Sequence, residues 1–351
     1  MKTEKMEADS IYTGRLPKGC VMCRKGAKLV LLVSGRCDSG CFYCPLSSKK
    51  KGKDVIYADE KLVSSDEDII AEAESIDAEG TGITGGDPVK SLERTIHYIE
   101  LLKHHFGKKH HIHLYTASLD TDAYNRLEKA GLDELRIHPP AEKWGELPEL
   151  EEFIKNTKMS IGFEIPAIPG REKEIQELIK FGERTGLDFI NLNELEFSEG
   201  NWDELEKRGF AAKDEISSAV AGSGELAYEM IKNAKMPIHY CSSSFKDAVQ
   251  LRQRLKRRAL KTSLPSDMIT DDGTLLKGVV EGDPSKIAEI LKNKFDVPEE
   301  LMHFDKEKER IEVAPWILEE IFEDLPYDSF IVEEYPTADR LEVEREPLKR
   351  H

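Results

Sequence analysis

Short apolar runs alternate with longer amphipathic runs from Leu29 to Cys241, and this alternation is typical of repeating parallel βα units. The apolar runs predict strands at Leu29–Ser34, Gly80–Thr84, Ile112–Thr116, Leu132–His138, Met159–Ile165, Phe189–Asn193 and Pro237–Cys241. The amphipathic runs predict helices at Asp66–Ile76, Ser91–Phe106, Asp120–Ala130, Leu147–Asn156 and Glu172–Thr185. A partial barrel and a doubly wound open sheet both produce this alternation, so the spacing alone does not choose between them.

The pattern changes beyond Pro265, where strands and helices of a small α+β domain are predicted at Thr274–Glu281, Pro284–Phe295, Glu309–Val313, Trp316–Asp324 and Phe330–Glu334. We therefore divide the chain into three segments. Residues 1–27 form an N-terminal arm, residues 28–262 an α/β domain, and residues 263–351 the α+β appendage.

One predicted helix, from about Lys246 to Lys261, has an apolar stripe and a basic face. The basic residues are Arg252, Arg254, Lys256, Arg257, Arg258 and Lys261. Such a face suits a phosphate-bearing substrate, an RNA or an acidic electron donor, and a merely solvated helix face is the alternative.

Polar residues share one face of several predicted strands. Side chains alternate between the two faces of a strand, so Arg136 and His138 lie opposite the apolar residues of their strand. Glu164 on the next strand, and Asn191 and Asn193 on the one after it, follow the same rule. If helices cover the apolar faces, these five side chains surround a polar interior and bind a cofactor or substrate. The alternative is that they pair with one another or lie at exposed strand ends.

Two histidines of the third strand, His111 and His113, have the same parity. The charged run Lys108-Lys109-His110-His111 comes directly before the strand. We therefore expect a solvated approach to the strand at this point.

Three closely spaced cysteines, Cys37, Cys41 and Cys44, follow the first predicted strand in the pattern Cys-x3-Cys-x2-Cys. Structural zinc sites with four cysteines usually take two separated pairs, and a disulfide framework needs an even number of cysteines in a short secreted chain. Three thiolates so closely spaced can hold three irons of a cubane cluster and leave the fourth iron open. A second motif, Gly85-Gly86-Asp87-Pro88, comes at the end of the second predicted strand.

With these two motifs the chain resembles the radical SAM (S-adenosylmethionine) superfamily over approximately residues 15 to 260. Within that superfamily it looks most like a group of archaeal proteins related to pyruvate formate-lyase activating enzyme. The resemblance implies a partial (β/α)6 barrel, a 4Fe-4S cluster on Cys37, Cys41 and Cys44, and SAM bound at the open iron.

The resemblance also assigns the residues that hold SAM. The backbone of Gly85 and Gly86 and the carboxylate of Asp87 accept the methionine ammonium, and charge makes such a hydrogen bond strong. Asp87 stands where Glu is commoner in the family. Tyr43 matches the position whose backbone lies against adenine, and simple loop packing is the alternative for it.

The other three cysteines form a second candidate set. Cys20 and Cys23 are a chelating pair, and His239 and Cys241 share one side of an extended segment. Three interpretations stay open: an auxiliary 4Fe-4S cluster on Cys20, Cys23 and Cys241, a structural zinc site that includes His239, or ordinary buried cysteines. Radical SAM enzymes such as 4-demethylwyosine synthase, which pair the SAM cluster with a second one, favour the first. Cys23 precedes the first strand and Cys241 ends the last, so the two meet only if the N-terminal arm folds back.

Composition and charge narrow the setting of the chain. No run approaches the roughly 18 apolar residues of a membrane span, and the charged N-terminus lacks the apolar core of a signal peptide. We therefore expect a cytoplasmic protein whose cysteines are reduced ligands. The net charge of −17 opposes broad nonspecific binding to nucleic acid, although a local basic patch still allows a specific RNA.

The resemblance implies a reaction more firmly than a substrate. A reduced cluster cleaves SAM to methionine and a 5′-deoxyadenosyl radical, which abstracts hydrogen from a substrate, and ferredoxin or flavodoxin supplies the electron. Three functions stay open: a radical SAM enzyme that acts on a small molecule, nucleoside or RNA, an activating enzyme for a partner protein, and a noncatalytic iron-sulfur or zinc scaffold. The known activating enzymes lack the extra cysteines and the C-terminal appendage, so their glycine substrate is not transferred here.

Overall fold

The apolar runs predicted as strands all form strands in the computed structural model, which describes residues 1–144 and 147–348. The structure divides into two compact units, residues 1–74 with 78–251 and residues 75–77 with 252 onward. The strands of the first unit are β1 (Thr3–Lys5), β2 (Ile11–Thr13), β3 (Lys28–Leu32), β4 (Tyr57–Ala58), β5 (Lys61–Leu62), β6 (Gly80–Thr84), β7 (His111–Thr116), β8 (Glu134–Ile137), β9 (Ser160–Ala167), β10 (Phe189–Glu194) and β11 (Ile238–Cys241).

The helices of the first unit include all those predicted and several that were not. They are α1 (Lys18–Arg24), α2 (Asp66–Ser75), α3 (Leu92–Phe106), α4 (Thr121–Ala130), α5 (Glu149–Asn156), α6 (Glu172–Thr185), α7 (Trp202–Lys207), α8 (Ser223–Lys232) and α9 (Ser243–Phe245), followed by a π-helical segment, Lys246–Leu251. Local signals define α4 at both ends. The Asp120 carboxylate accepts hydrogen bonds from the backbone of Asp122 and Ala123, and Gly131 ends the helix in the left-handed conformation.

The strands of the first unit form one sheet in the order β1-β2-β11-β10-β9-β8-β7-β6-β3-β4-β5. Neighbours from β11 to β3 are parallel. β2 pairs antiparallel with β11, with Tyr12 opposite His239, so the N-terminal arm does fold back to the last strand. Since the shared direction brings the carboxyl ends of the parallel strands to one edge, the loops after β3, β6, β8 and β9 meet there.

The two faces of the parallel strands differ as their parity predicts. Leu135, Ile161 and Ile190 are buried on one face, and α8 packs against β9, β10 and β11. Arg136 and Asn191, on the opposite face, are also buried. The first unit is therefore a mixed α/β domain with a polar interior face. Its description as a partial barrel stays a prediction.

The second unit is an antiparallel α+β domain. It contains α10 (Arg252–Thr262), β12 (Met268–Ile269), β13 (Leu275–Glu281), α11 (Pro284–Phe295), β14 (Met302–Asp305), β15 (Arg310–Val313), α12 (Pro315–Ile321), β16 (Asp328–Glu334) and β17 (Glu342–Pro347). The sheet order is β14-β15-β13-β16-β17, and β12 pairs with β13. The apolar core includes Val280, Leu291 and Leu318. Residues 349–351 of the predicted appendage lie outside the described part.

The boundary between the units lies before α10, whereas the sequence places it after residue 262. The helix belongs to the second unit because Arg252 donates to the Asp271 carbonyl and Arg258 to the Pro336 carbonyl. Arg257 donates to the Ile76 carbonyl at 2.8 Å, again within this unit. At least three of the six residues of the predicted basic face therefore make contacts within this unit.

A cluster of buried ion pairs stabilises the second sheet. Lys277 lies 2.7 Å from a Glu312 oxygen and 3.4 Å from a Glu334 oxygen. Arg310 binds the same two carboxylates at 2.8 and 3.1 Å. All four side chains are at most 6% exposed, so each charge depends on its partners.

Candidate functional site

The loop after β3 carries the cysteine triplet into a cavity of about 640 Å³ at the carboxyl edge of the sheet. Cys37, Cys41 and Cys44 all line this cavity, together with Gly85 and Gly86. All six cysteines of the chain are free thiols, so none is consumed by a disulfide. The structure therefore directs three potential thiolate ligands to one space.

The three thiols of the triplet are a donor set for a metal centre. The sulfurs of Cys37, Cys41 and Cys44 do not all lie within 4.8 Å of one another. One zinc ion, with Zn–S distances of ~2.3 Å, holds its thiolates about 3.8 Å apart. A cubane places each thiolate on a different iron and so separates them more widely. The donor set is thus compatible with an iron-sulfur cluster.

The glycine pair lets the end of β6 approach the cysteine loop closely. The Gly86 N–H donates to the Ser34 carbonyl at 2.7 Å, and the Asp87 N–H donates to the Arg36 carbonyl at 2.8 Å. A Cβ atom on Gly86 would lie 2.3 Å from the Arg36 oxygen, and one on Gly85 would lie 2.4 Å from the Ser34 oxygen. Any larger residue at these positions would displace the backbone that carries Cys37.

Asp87 is placed behind the cavity wall. Its Oδ1 accepts hydrogen bonds from the Thr116 hydroxyl at 2.6 Å and from the Val89 backbone at 3.1 Å. The side chain is buried, and burial raises the pKa of its carboxyl. Gly85, Gly86 and Thr116 line the cavity, whereas Asp87 does not belong to its lining. The carboxylate therefore fixes the loop directly.

Tyr43 and His138 form a hydrogen-bonded pair on the cavity wall. His138 Nδ1 lies 2.5 Å from the Glu164 carbonyl, which can only accept, so this nitrogen carries the proton. Burial lowers the pKa of His138, and the neutral ring accepts at Nε2 from the Tyr43 hydroxyl at 3.1 Å. The Asn201 side chain donates to the Tyr43 carbonyl at 3.1 Å. The loop after β10 thus supports the cysteine loop, which the sequence did not indicate.

Glu164 gathers the predicted polar residues into one cluster. Its carboxylate accepts from Arg136 at 3.0 Å, from Asn191 at 2.7 Å and from Asn193 at 2.7 Å. Arg136 also binds Glu134 at 2.5 Å. Glu164 and His138 line the cavity, while Arg136 and Asn191 lie behind it. The five residues therefore meet, but chiefly by pairing with one another.

The second cysteine set assembles beneath this cluster because α1 packs against β3, β6 and β7. The Cys20 sulfur accepts from Asn191 at 3.3 Å and from Arg136 at 3.4 Å, and the Cys241 sulfur accepts from Gln250 at 3.7 Å. Burial raises the pKa of the Cys20 thiol to about 11. Burial, and also the nearby Cys20 and Cys23 sulfurs, raise the pKa of Cys241. The three cysteines therefore lie close together.

His239 is placed beside this set but without a bond to it. The side chain is 2% exposed, and neither ring nitrogen has a hydrogen-bond partner. Burial lowers its pKa to about 3, so the ring is neutral. Cys20, Cys23 and Cys241, like the first triplet, do not all lie within 4.8 Å of one another.

Several residues of the polar face were not identified from the sequence. Glu134, Tyr115 and Lys28 share the polar face with Arg136, and applying strand parity to whole strands would have found the first two. The expected solvated start of the third strand is wrong, because His111 is buried beneath the turn at Pro17 to Lys18 and the side chain of Glu134.

Comparisons with known proteins give one close relative. The chain is 43% identical over 360 aligned residues to a protein of Methanocaldococcus jannaschii with the provisional name glycyl-radical enzyme activating enzyme, and the match covers 95% of this chain and 93% of the relative. A family model described as a domain of unknown function (DUF8061) matches residues 273–348. The crystal structure of Streptococcus suis SuiB bound to S-adenosylmethionine aligns with 62% of this chain and half of its own length, at a TM-score of 0.41 and 12% identity, values too low to support an argument. In the described ranges, no helix is long and apolar enough to cross a membrane.

Proposed function

Because this chain belongs to the radical SAM family, together with its M. jannaschii relative, we propose that Cys37, Cys41 and Cys44 hold the 4Fe-4S cluster at which SAM is cleaved. The observation that carries the proposal is the single cavity lined by these three free thiols and by Gly85 and Gly86. When bound, the cluster supplies one electron to the sulfonium of SAM, which yields methionine and a 5′-deoxyadenosyl radical that takes hydrogen from the substrate. Because the chain belongs to a family of enzymes, we no longer retain the hypothesis of a noncatalytic scaffold, which the sequence left open.

The protein residues around the cavity orient SAM and exclude water. The backbone of Gly85 and Gly86 accepts the methionine ammonium, and Asp87 adds negative charge from behind while it fixes the glycine loop. Tyr43 lies where its backbone meets adenine, held by Asn201. Glu164 presents a carboxylate to the interior of the cavity.

Cys20, Cys23 and Cys241 hold an auxiliary 4Fe-4S cluster in this proposal. The support is the return of the N-terminal arm, through β2, to β11, and the closeness of Cys20 and Cys23 to Cys241. Asn191 and Arg136 donate to the Cys20 sulfur, and such hydrogen bonds stabilise a thiolate ligand. Three cysteines would leave one iron of such a cluster without a protein thiolate.

The substrate we propose is a backbone glycine of a partner protein, and the electron donor is a ferredoxin or flavodoxin. The name of the M. jannaschii relative supports this choice. The RNA alternative is weakened, because Arg252, Arg257 and Arg258 of the basic face bind carbonyl groups of their own unit.

Release of 5′-deoxyadenosine tests the first proposal. Protein reconstituted anaerobically with iron and sulfide, then given dithionite and SAM, should release 5′-deoxyadenosine, and Cys41→Ala should abolish the release. Cys20→Ala is the matched control, because it removes a thiol of the other site and should leave the electron paramagnetic response of the first cluster to SAM intact. Product release from Cys41→Ala at the wild-type rate would overturn the assignment of the triplet.

Metal counts test the second site. Cys20→Ala and Cys241→Ala should each lose about four of about eight irons if the site holds a cubane. Loss of one zinc ion instead would support the zinc site with His239, and unchanged iron and zinc would remove both.

Deuterium transfer tests the substrate. Extract from cells grown with α-deuterated glycine is fractionated into protein, nucleic acid and small molecules, and each fraction is offered to the active enzyme. We expect label in 5′-deoxyadenosine from the protein fraction. Label that comes only from nucleic acid or small molecules would refute a protein substrate while leaving SAM cleavage in place.

A further inference from the structure

Two histidines and a glutamate converge at the amino-terminal end of the sheet, away from the cysteine loop. His111 and His113 lie two residues apart on β7 and therefore share one face of the strand. Glu134 on the neighbouring β8 lies directly opposite His113 in the register. One ligand atom from each lies within 4.8 Å of the others. Within the described residues this is the sole group of three His, Cys, Asp or Glu side chains that meets this distance.

Three imidazole nitrogens of this group lack a hydrogen bond to any described residue. Neither ring nitrogen of His113, which is fully buried, has a hydrogen-bond partner among the described residues, and His111 Nε2 has none either. The 3.4 Å contact of His111 Nε2 with Glu134 Oε2 is too poorly aligned for a hydrogen bond. Each such buried group costs about 1–3 kcal/mol, so three of them together require a partner.

The distances suit ligands of one ion. Two ligands at ~2.1 Å from a tetrahedral metal are about 3.4 Å apart, the separation of His111 Nε2 and Glu134 Oε2. Asp133 Oδ2 lies 3.9 Å from His111 Nδ1, on the side where a carboxylate typically orients a ligating histidine. Arg136 binds Oε1 of Glu134, whereas Oε2 accepts from the Gly19 backbone at 3.4 Å and lies 3.4 Å from His111 Nε2.

Arg136 lies near the proposed ligands, and its positive charge would repel a metal cation, but two carboxylates offset part of that charge. Arg136 contacts Glu164 at 3.0 Å as well as Glu134, so its charge is shared between two carboxylates. Lys28 is a second cation near His113, and it interacts electrostatically with Cys23. Among the three candidate ligands, Glu134 supplies the carboxylate and the two histidines supply imidazole nitrogens.

The group also has access to solvent. His111 and Glu134 line a cavity of about 700 Å³ on the side opposite to the cysteine loop, bounded by Arg15 to Lys18 and by Lys158 to Ser160. A metal held by three protein ligands would have its remaining positions toward this cavity, through which it could enter.

We propose that His111, His113 and Glu134 form a separate mononuclear site for a divalent transition metal, zinc or ferrous iron. Two imidazoles and one carboxylate are the ligand set that both ions accept, and no cysteine takes part. The proposal does not depend on either cysteine set. The metal would also fix Glu134, which accepts from the Gly19 backbone at 3.4 Å and binds Arg136, and so would hold the start of α1.

Zinc binding to the reconstituted full-length enzyme tests the site. Cluster-loaded protein is treated with EDTA to remove mononuclear iron, given one equivalent of Zn²⁺ and desalted. We expect about one zinc per chain and a zinc-edge X-ray absorption spectrum with nitrogen and oxygen neighbours at ~2.0–2.1 Å and no sulfur at ~2.3 Å. Retention of less than about 0.2 zinc, or a sulfur shell, would overturn the proposal.

Variants assign the ligands. His113→Gln should weaken zinc binding by at least about 100-fold, since it removes a ligand rather than an outer contact. His110→Gln is the matched control, because His110 is a neighbouring buried histidine whose Nε2 already bonds the Thr81 hydroxyl at 2.8 Å, and it should bind zinc like the wild type. Wild-type affinity in His113→Gln would refute the assignment. If His113→Gln loses cluster iron as well, the zinc-edge absorption spectrum of the wild type decides whether zinc has nitrogen and oxygen ligands only.

Discussion

The sharpest prediction concerns Arg136, whose charge holds the polar interior together. Arg136→Met removes a guanidinium that is 2% exposed and leaves Glu134, 1% exposed, without its partner at 2.5 Å. It also removes the donor to Glu164 at 3.0 Å. Methionine fills a similar volume, so the loss is chiefly of charge and hydrogen bonds.

The expected cost is about 3–5 kcal/mol of unfolding free energy. Hydrogen bonds to charged groups contribute roughly 1.5–3 kcal/mol each, and two carboxylates lose theirs. Removing the arginine also removes its own desolvation cost, which brings the net effect to the value measured for broken buried pairs. Because Glu134→Gln relieves the unpaired charge, the double variant should be more stable than the sum of the single effects predicts, by about 2 kcal/mol.

Urea unfolding of the metal-free chain, followed by circular dichroism, measures these values. Arg184→Met is the control, since Arg184 binds Glu151 at the same 2.5 Å but is 61% exposed, and its loss should cost less than about 1 kcal/mol. An Arg136→Met variant that costs no more than Arg184→Met would refute the view that burial makes the Arg136 pair important.

Three further predictions concern other parts of the chain. Lys277→Met should lower the unfolding free energy by about 1.5–3 kcal/mol, because Glu312 loses a charged donor at 2.7 Å but keeps Arg310 at 2.8 Å, and a loss below about 1 kcal/mol in urea unfolding would contradict this. Burial alone would raise the pKa of Asp305, but the Arg340 side chain and backbone donors hold it below its usual value. Its stabilising contribution should therefore be complete above pH ~4 and lost as the pH falls further, and thermal unfolding of wild type and Asp305→Asn should differ less at pH 3 than at pH 6. Gly86→Ala should lower cluster occupancy by displacing the Arg36 carbonyl, as counted by iron per chain, and unchanged iron would show that the close approach is not needed.

Strand parity predicted much of the site because it depends on one local rule. Arg136, Glu164 and Asn191 were placed on a common face from alternation alone, and their contacts follow from neighbouring strands in register. Parity could not tell a ligand pocket from a self-paired cluster, because partner choice depends on side-chain reach. Asn201 was missed since it lies in an irregular loop.

The features that the sequence could not give are those set by distant pairing. The meeting of Cys20 with Cys241 depends on the antiparallel contact of β2 and β11, which no local pattern encodes. The burial of His111 reverses the expectation from its charged neighbours, because the turn before α1 covers the end of the sheet. The boundary before α10 likewise depends on arginine contacts made many residues away.

The return of the N-terminal arm sets an order for assembly during synthesis. Ser10 bonds the hydroxyl of Ser242, 232 positions later, so the arm must wait until nearly all of the first unit has been synthesised. The 37/41/44 loop meets its glycine partner much earlier, although Tyr43 gains its contact with Asn201 only after β10 has been made. The arm is therefore the last strand-forming segment of the first unit to find its partner.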